Sequence, residues 1–118
     1  MGRIDIARVY DQAGEDPSGR FLVDRLWPRG LAKSGAPFEY WAKDVSPSNA
    51  LRKRYGHAGS RFEEFADRYR GELASPAGLA ALEDLRGRIG DRDVTLLTAT
   101  KELASSHLTV LAEVLAHP

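Results

Sequence analysis

The chain has 118 residues, of which 42% are hydrophobic, enough for one core and hardly two, so a single domain over residues 1–118 is expected. Seventeen basic and seventeen acidic side chains cancel, so net charge gives no argument for a nucleic-acid or membrane partner. The absence of cysteine excludes thiolate catalysis, disulfides and cysteine-held zinc or iron–sulfur clusters.

The N-terminal stretch MGRIDIARVY alternates charged and apolar residues and lacks the apolar run of a signal peptide. No stretch approaches the roughly 20 apolar residues that span a bilayer. A soluble, cytoplasmic protein without a membrane partner is expected. Its charge is unevenly placed: between Arg25 and Arg61 eight Lys or Arg stand against two acids, Glu39 and Asp44. The remainder carries the compensating negative excess. This asymmetry favours one electropositive face, although a solvated helix surface would produce part of it.

In chain order, residues 4–10, IDIARVY, read as a short strand, and residues 11–20 form a loop around Gly14, Pro17 and Gly19. A second strand over residues 21–26, FLVDRL, ends before Pro28, which removes a donor and fixes φ. The long connection to Tyr55 is irregular, with helical turns expected over 38–43 and 48–55. Ser60 and Glu63 form a capping box for a helix over 60–73, whose apolar positions Phe62, Phe65, Tyr69 and Leu73 recur at helical spacing. Ser75 followed by Pro76 opens the next helix, with Leu79, Leu82, Leu85 and Ile89 as its stripe and a stop near Gly90. Residues 94–98, VTLLT, suit a buried parallel strand. Ser105 or Ser106 caps a last helix with Leu108, Leu111, Ala112 and Leu115 on its apolar face.

This order implies an α/β fold: a small, mostly parallel open sheet of about three strands covered by helices, three-layered and Rossmann-like but without a dinucleotide loop. In such sheets ligands sit beyond the carboxyl ends of the strands. Tyr10 and Asp11, the segment from Asp24 to Gly30, and residues 98–106 lie there.

The segment VDRLWPRG, residues 23–30, sets an acid, two guanidinium groups and an indole within six residues. Arg25 and Arg29 offer planar forks to a carboxylate or phosphate, Trp27 a stacking face, and Asp24 a proton acceptor. Strand alternation points Asp24 and Arg25 in opposite directions. A purely structural alternative pairs Asp24 with Arg8 or Arg25 and buries Trp27 in the core. The last strand delivers Thr98, Thr100 and Lys101 to the same edge, where Ser105 and Ser106 open a helix whose free N–H groups attract anions. The competing reading is an ordinary helix cap.

His57 and His107 lie near this edge, unlike His117, and His107 or Asp24 could move a proton at neutral pH. No close metal-ligand spacing occurs, so no metal site is expected, and no cofactor is expected because phosphate-loop, dinucleotide, nucleophile-elbow and kinase signatures are all missing. The basic run LRKRYGHAGSR, residues 51–61, hints at nucleic acid but carries no base-reading motif. The ligand-facing set is therefore Arg8, Arg25, Trp27, Arg29, Lys33, Arg52, His57 and Lys101, with Asp24 and His107 as candidates for catalysis.

RVYD, LVDRLWPRGL, WAKDVSPSNALRKRYGH, FADRYRGEL and VTLLTATK together resemble the YeaO-like branch of the DUF488 family, nearly end to end. The resemblance implies a small bacterial α/β protein with no established activity. Longer relatives carry a helix between the first two strands where this chain has only residues 11–20, so a parallel pairing would be made by an unusually short connection. This branch commonly reads K-D-x-E-H-N-x-A after the last strand, whereas here Ser105 and Ser106 replace the histidine and asparagine. Longer relatives also place a Cys-His-Arg group in this area, and this chain has no cysteine. If those residues carry chemistry, this member binds without catalysing, or His107 substitutes.

Three functions are open on these grounds. The favoured one is binding of a phosphate- or carboxylate-bearing small molecule in a cleft at the strand ends. The others are an enzyme acting on a small phosphorylated substrate, and a nucleic-acid-binding or structural, oligomer-forming module. Oligomeric state is left open.

Overall fold

The computed structural model describes residues 2–12, 16–55 and 61–117. Ser60, the expected capping residue, and His57 lie outside these, as do residues 13–15. The strands are β1 (Ile4–Arg8), β2 (Arg20–Leu22), β3 (Tyr40–Trp41) and β4 (Val94–Thr98). The α-helices are α1 (Asn49–Tyr55), α2 (Phe62–Leu73), α3 (Pro76–Ile89) and α4 (His107–Ala116).

All strand pairs are parallel and the order is β1-β4-β2-β3. The α/β fold read from the sequence is present, with four strands where about three were expected. The additional strand is β3, which falls where a helical turn was expected over 38–43. Tyr40 and Trp41 take strand geometry because β2 offers them a free edge, with Phe21 opposite Tyr40 and Leu22 opposite Trp41. β2 stops at Leu22, short of the expected Leu26, although the Val23 amide still donates to the Leu97 carbonyl at 2.8 Å. β1 gives way at Val9 to a 3-10 turn.

Helix ends follow their local chemistry. Ser75 accepts a bond from the Gly78 amide at 3.1 Å, with Pro76 at the first helical position. Gly90, at φ 60°, closes α3. Ser106 caps α4 by accepting from the Leu108 amide.

Strand alternation separates two apolar clusters. Phe21, Leu96, Val94, Ile4 and Ile6 face the helices and pack with Phe65, Tyr69, Leu85, Ile89, Leu108 and Leu111. On the other face Leu22, Leu97 and Val9 pack under Leu31, Phe38 and Trp41. The chain direction explains this division. Parallel crossovers are right-handed, so steps from β1 to β2 and from β2 to β3 run over one face, and the return from β3 to β4 runs over the other. Only the return contains helices, so irregular chain forms the layer on the second face. Among the described residues no helix is long and apolar enough to cross a membrane.

Candidate functional site

The crossover pattern also marks the place where sheets of this kind open a crevice. β1 and β2 leave the sheet toward the second face, while β4 continues into α4 on the helical face. The carboxyl end of β4 is therefore flanked on both sides by strands departing oppositely, the geometry that opens ligand sites in α/β sheets.

Between β4 and β2 sits Asp24, one residue past the Val23 bond that ends the pairing. Its carboxylate accepts from the Thr98 hydroxyl at 2.6 Å and from the Ala99 amide at 2.8 Å. His107, in the first turn of α4, puts Nε2 3.5 Å from Asp24 Oδ1 and against the Val23 carbonyl. Its ring also meets Tyr69 edge-on, 6.2 Å between centroids. Burial raises the Asp24 pKa above the ordinary carboxylate value, opposed by the Thr98 bond and the neighbouring His107. Burial likewise lowers the His107 pKa, opposed by Asp24. Both shifts favour an uncharged pair. The two candidates for catalysis are thus brought together, but their side chains are only 15% and 10% exposed, and Thr98 is fully buried.

Between β4 and β1 sits Arg8. Its guanidinium lies over the Tyr10 ring at 5.1 Å and donates weakly to the Ala99 carbonyl at 3.4 Å. Its Nε is buried and has no hydrogen-bond partner. Tyr10 in turn donates from its hydroxyl to the Arg29 carbonyl at 2.6 Å. Arg8, Tyr10, the Arg29 backbone and Ala99, two residues before Lys101, thereby form one contact chain along the strand ends. Gly30, at φ 79°, makes the turn after Arg29.

The other site residues separate. Arg25, beyond the end of β2, has different partners from Asp24: it donates to the Ser46 and Pro47 carbonyls at 2.6 and 3.3 Å. Trp27 is half-buried, donates to the Leu31 carbonyl at 2.7 Å and packs on Phe38 and Trp41. Arg52 is exposed on α1, bonds Asn49, and its charge acts on both Asp24 and His107. Lys33 and Lys101 are exposed. Ser106 is buried and committed to its cap. Among the described residues no cluster of three or more His, Asp or Glu could hold a metal ion.

Among the described residues two sets of cations stand apart. Arg3, Arg61, Arg70, Arg88 and Arg92 are in ion pairs with carboxylates. Arg8, Arg29, Lys33, Arg52 and Lys101 are in none. The described residues also line two grooves that sequence reasoning missed. One, of about 700 Å³, has Tyr40 and Ala42 on one side and the alanines of α3 on the other. The second, of about 850 Å³, runs between α1 and α2. The run LRKRYGHAGSR signalled half of the second, but nothing local marked Arg68 as its other wall.

A parallel-sheet α/β protein with its polar residues gathered where the strands end is the class that fold and site define. Within it, the chain belongs to the family described as the inactive DUF488-N3 subclade, whose profile matches residues 3–118. It is similar to uncharacterised proteins of Mycobacterium tuberculosis H37Rv and Mycobacterium bovis, each 47% identical over 113 residues, covering 96% of this chain and 93% of the relative. It is also similar to the uncharacterised protein YeaO of Escherichia coli K12, 35% identical over 114 residues, covering 93% and 94%. No solved structure matches it.

Proposed function

We propose that this protein binds a small oxyanion, a phosphate- or carboxylate-bearing molecule, at the carboxyl ends of β1 and β4, and performs no chemistry on it. The observation that carries this reading is the Arg8 guanidinium, a partly buried cation whose Nε is desolvated and unbonded. Leaving such a donor without a partner is costly, and a planar oxyanion acceptor would satisfy it. Arg29, Lys33 and Lys101 supply further charge, Arg29 through its link to Tyr10. The enclosure of Asp24, Thr98 and His107 leaves no exposed nucleophile–base pair. The description of the family as inactive agrees.

Thermal unfolding with inorganic phosphate, pyrophosphate and citrate tests the reading. A ligand at one hundred times its Kd stabilises by about 2.7 kcal/mol, and the shift should disappear in Arg29→Ala/Lys101→Ala, whose side chains are exposed. No shift with any of the three anions, or the same shift in the variant, overturns it. The proximity of His107 and Asp24 favours one alternative, an enzyme acting on a phosphorylated substrate. Hydrolysis of p-nitrophenyl phosphate that is lost in Asp24→Asn would establish that alternative.

A further inference from the structure

We propose that the groove between α1 and α2 is a second anion-binding surface, separate from the strand-end crevice, and that its partner is the phosphodiester backbone of single-stranded nucleic acid. Ala50, Leu51, Lys53 and Arg54 of α1 and Arg68, Gly71 and Glu72 of α2 line it. Its three cations are exposed and, among the described residues, none is in an ion pair. Arg54 lies 5.7 Å from the Tyr55 ring centre. The neighbouring arginines differ: Arg61 bonds Glu64 at 2.9 Å and Arg70 bonds Asp67 at 3.0 Å. The groove's one acid, Glu72, is held by Ser48, from its amide at 2.9 Å and its hydroxyl at 2.5 Å, and pairs with none of the three cations, which outnumber it along the groove. Three cations against one acid leave an excess of positive charge along this groove.

The groove's shape selects the partner. It is wide and open, with its cations spread over two helices instead of converging on one point, which suits a repeating chain of charges better than a single small anion. The seven residues of α1 extend about 10 Å, room for a few phosphates of one strand. A membrane surface fits poorly, because among the described residues the exposed large hydrophobics are Tyr10, Leu26 and Leu79, none of them on α1 or α2. Tyr55, the aromatic residue nearest the cations, is buried, so bases have no stacking platform here. Binding is therefore weak, independent of sequence and steeply salt-dependent.

The test is fluorescence anisotropy of a labelled oligothymidylate with the full chain, titrated between about 50 and 200 mM salt. Binding should weaken as salt rises. Lys53→Gln/Arg54→Gln/Arg68→Gln should weaken it about tenfold or more and flatten the log–log salt slope by about 2, three phosphate contacts at about 0.7 each. Gly71→Glu should also weaken it. A Cβ there meets nothing within 4 Å, so the new carboxylate enters the groove without straining the fold. Arg29→Ala/Lys101→Ala should bind the strand unchanged, which separates this surface from the strand-end reading. The proposal is overturned if the strand does not bind, if the triple variant binds it equally, if Arg29→Ala/Lys101→Ala is the variant that loses binding, or if polyglutamate displaces it at equal charge.

Discussion

His107 Nε2 lies 3.5 Å from Asp24 Oδ1, and through this pair the start of α4 is tied to the ends of β2 and β4. Asp24 also receives the Thr98 hydroxyl and the Ala99 amide, so removing its carboxylate strands two donors in a largely buried region. Asp24→Ala should lower stability by about 2–4 kcal/mol, read from urea unfolding. Asp24→Asn, which keeps one acceptor, should lose less. An Asp24→Ala loss below about 1 kcal/mol would mean the pair does not hold these elements together.

The same pair sets a pH dependence. The His107 pKa is lowered by burial, so its contribution to stability is complete above the unfolded value near 6.5 and is lost as pH falls through the lower folded value. Asp24, with a raised pKa, has the opposite sign: its contribution is complete below the unfolded value and is lost as pH rises through the folded one. Asp24, the Val23 carbonyl and the more distant Arg52 are the groups that act on the ring. Between about pH 7.5 and 5.5 the wild type should lose up to about 1.4 kcal/mol per unit below the unfolded pKa. His107→Gln should be flatter over that interval. Parallel urea midpoints for the two proteins would refute the assignment.

Gly78, where α3 packs on the end of α2, has no room for a side chain. An added Cβ would lie 2.2 Å from the Glu72 carbonyl oxygen and 2.7 Å from that of Leu73, backbone atoms that cannot step aside. Gly78→Ala should cost about 1–3 kcal/mol. Gly87→Ala, on the exposed side of α3 where a Cβ meets nothing within 4 Å, should gain up to about 1 kcal/mol. Thermal unfolding of the two variants should show shifts of opposite sign.

Trp27 roofs the second face of the sheet with Phe38 and Trp41, at centroid distances of 5.5 and 5.4 Å. Trp27→Phe keeps most of the apolar contact and deletes the indole bond to Leu31, so a loss of about 1 kcal/mol is expected. Trp27→Ala should cost about 3 kcal/mol or more, with a large fall in near-ultraviolet circular dichroism.

The helices and β4 were legible because their signals are local: Ser75 before Pro76, Gly90 at a helix end, five β-branched or leucine residues in a row. β3 was not, because Tyr40 and Trp41 form a strand only once β2 lies beside them. Strand alternation does not reach Asp24 and Arg25, because β2 ends at Leu22. Arg25's partners lie 21 and 22 residues away, and Asp24's lie 74 and 75 away, separations at which no pattern in the chain names the contact. The arginine at the β1 end was recognisable as a ligand candidate. That its Nε would be buried and unbonded depended on how Tyr10 and Ala99 close around it.

β4 lies between β1 and β2, yet it is the last strand to be made. A ribosome must release residues beyond Thr98 before β1 can find its neighbour, or β2 its partner on the side away from β3, so these strand edges wait unpaired through most of synthesis. With Ile4 finding Val94, ninety residues on, this topology makes sheet assembly a late and slow event in the birth of the protein.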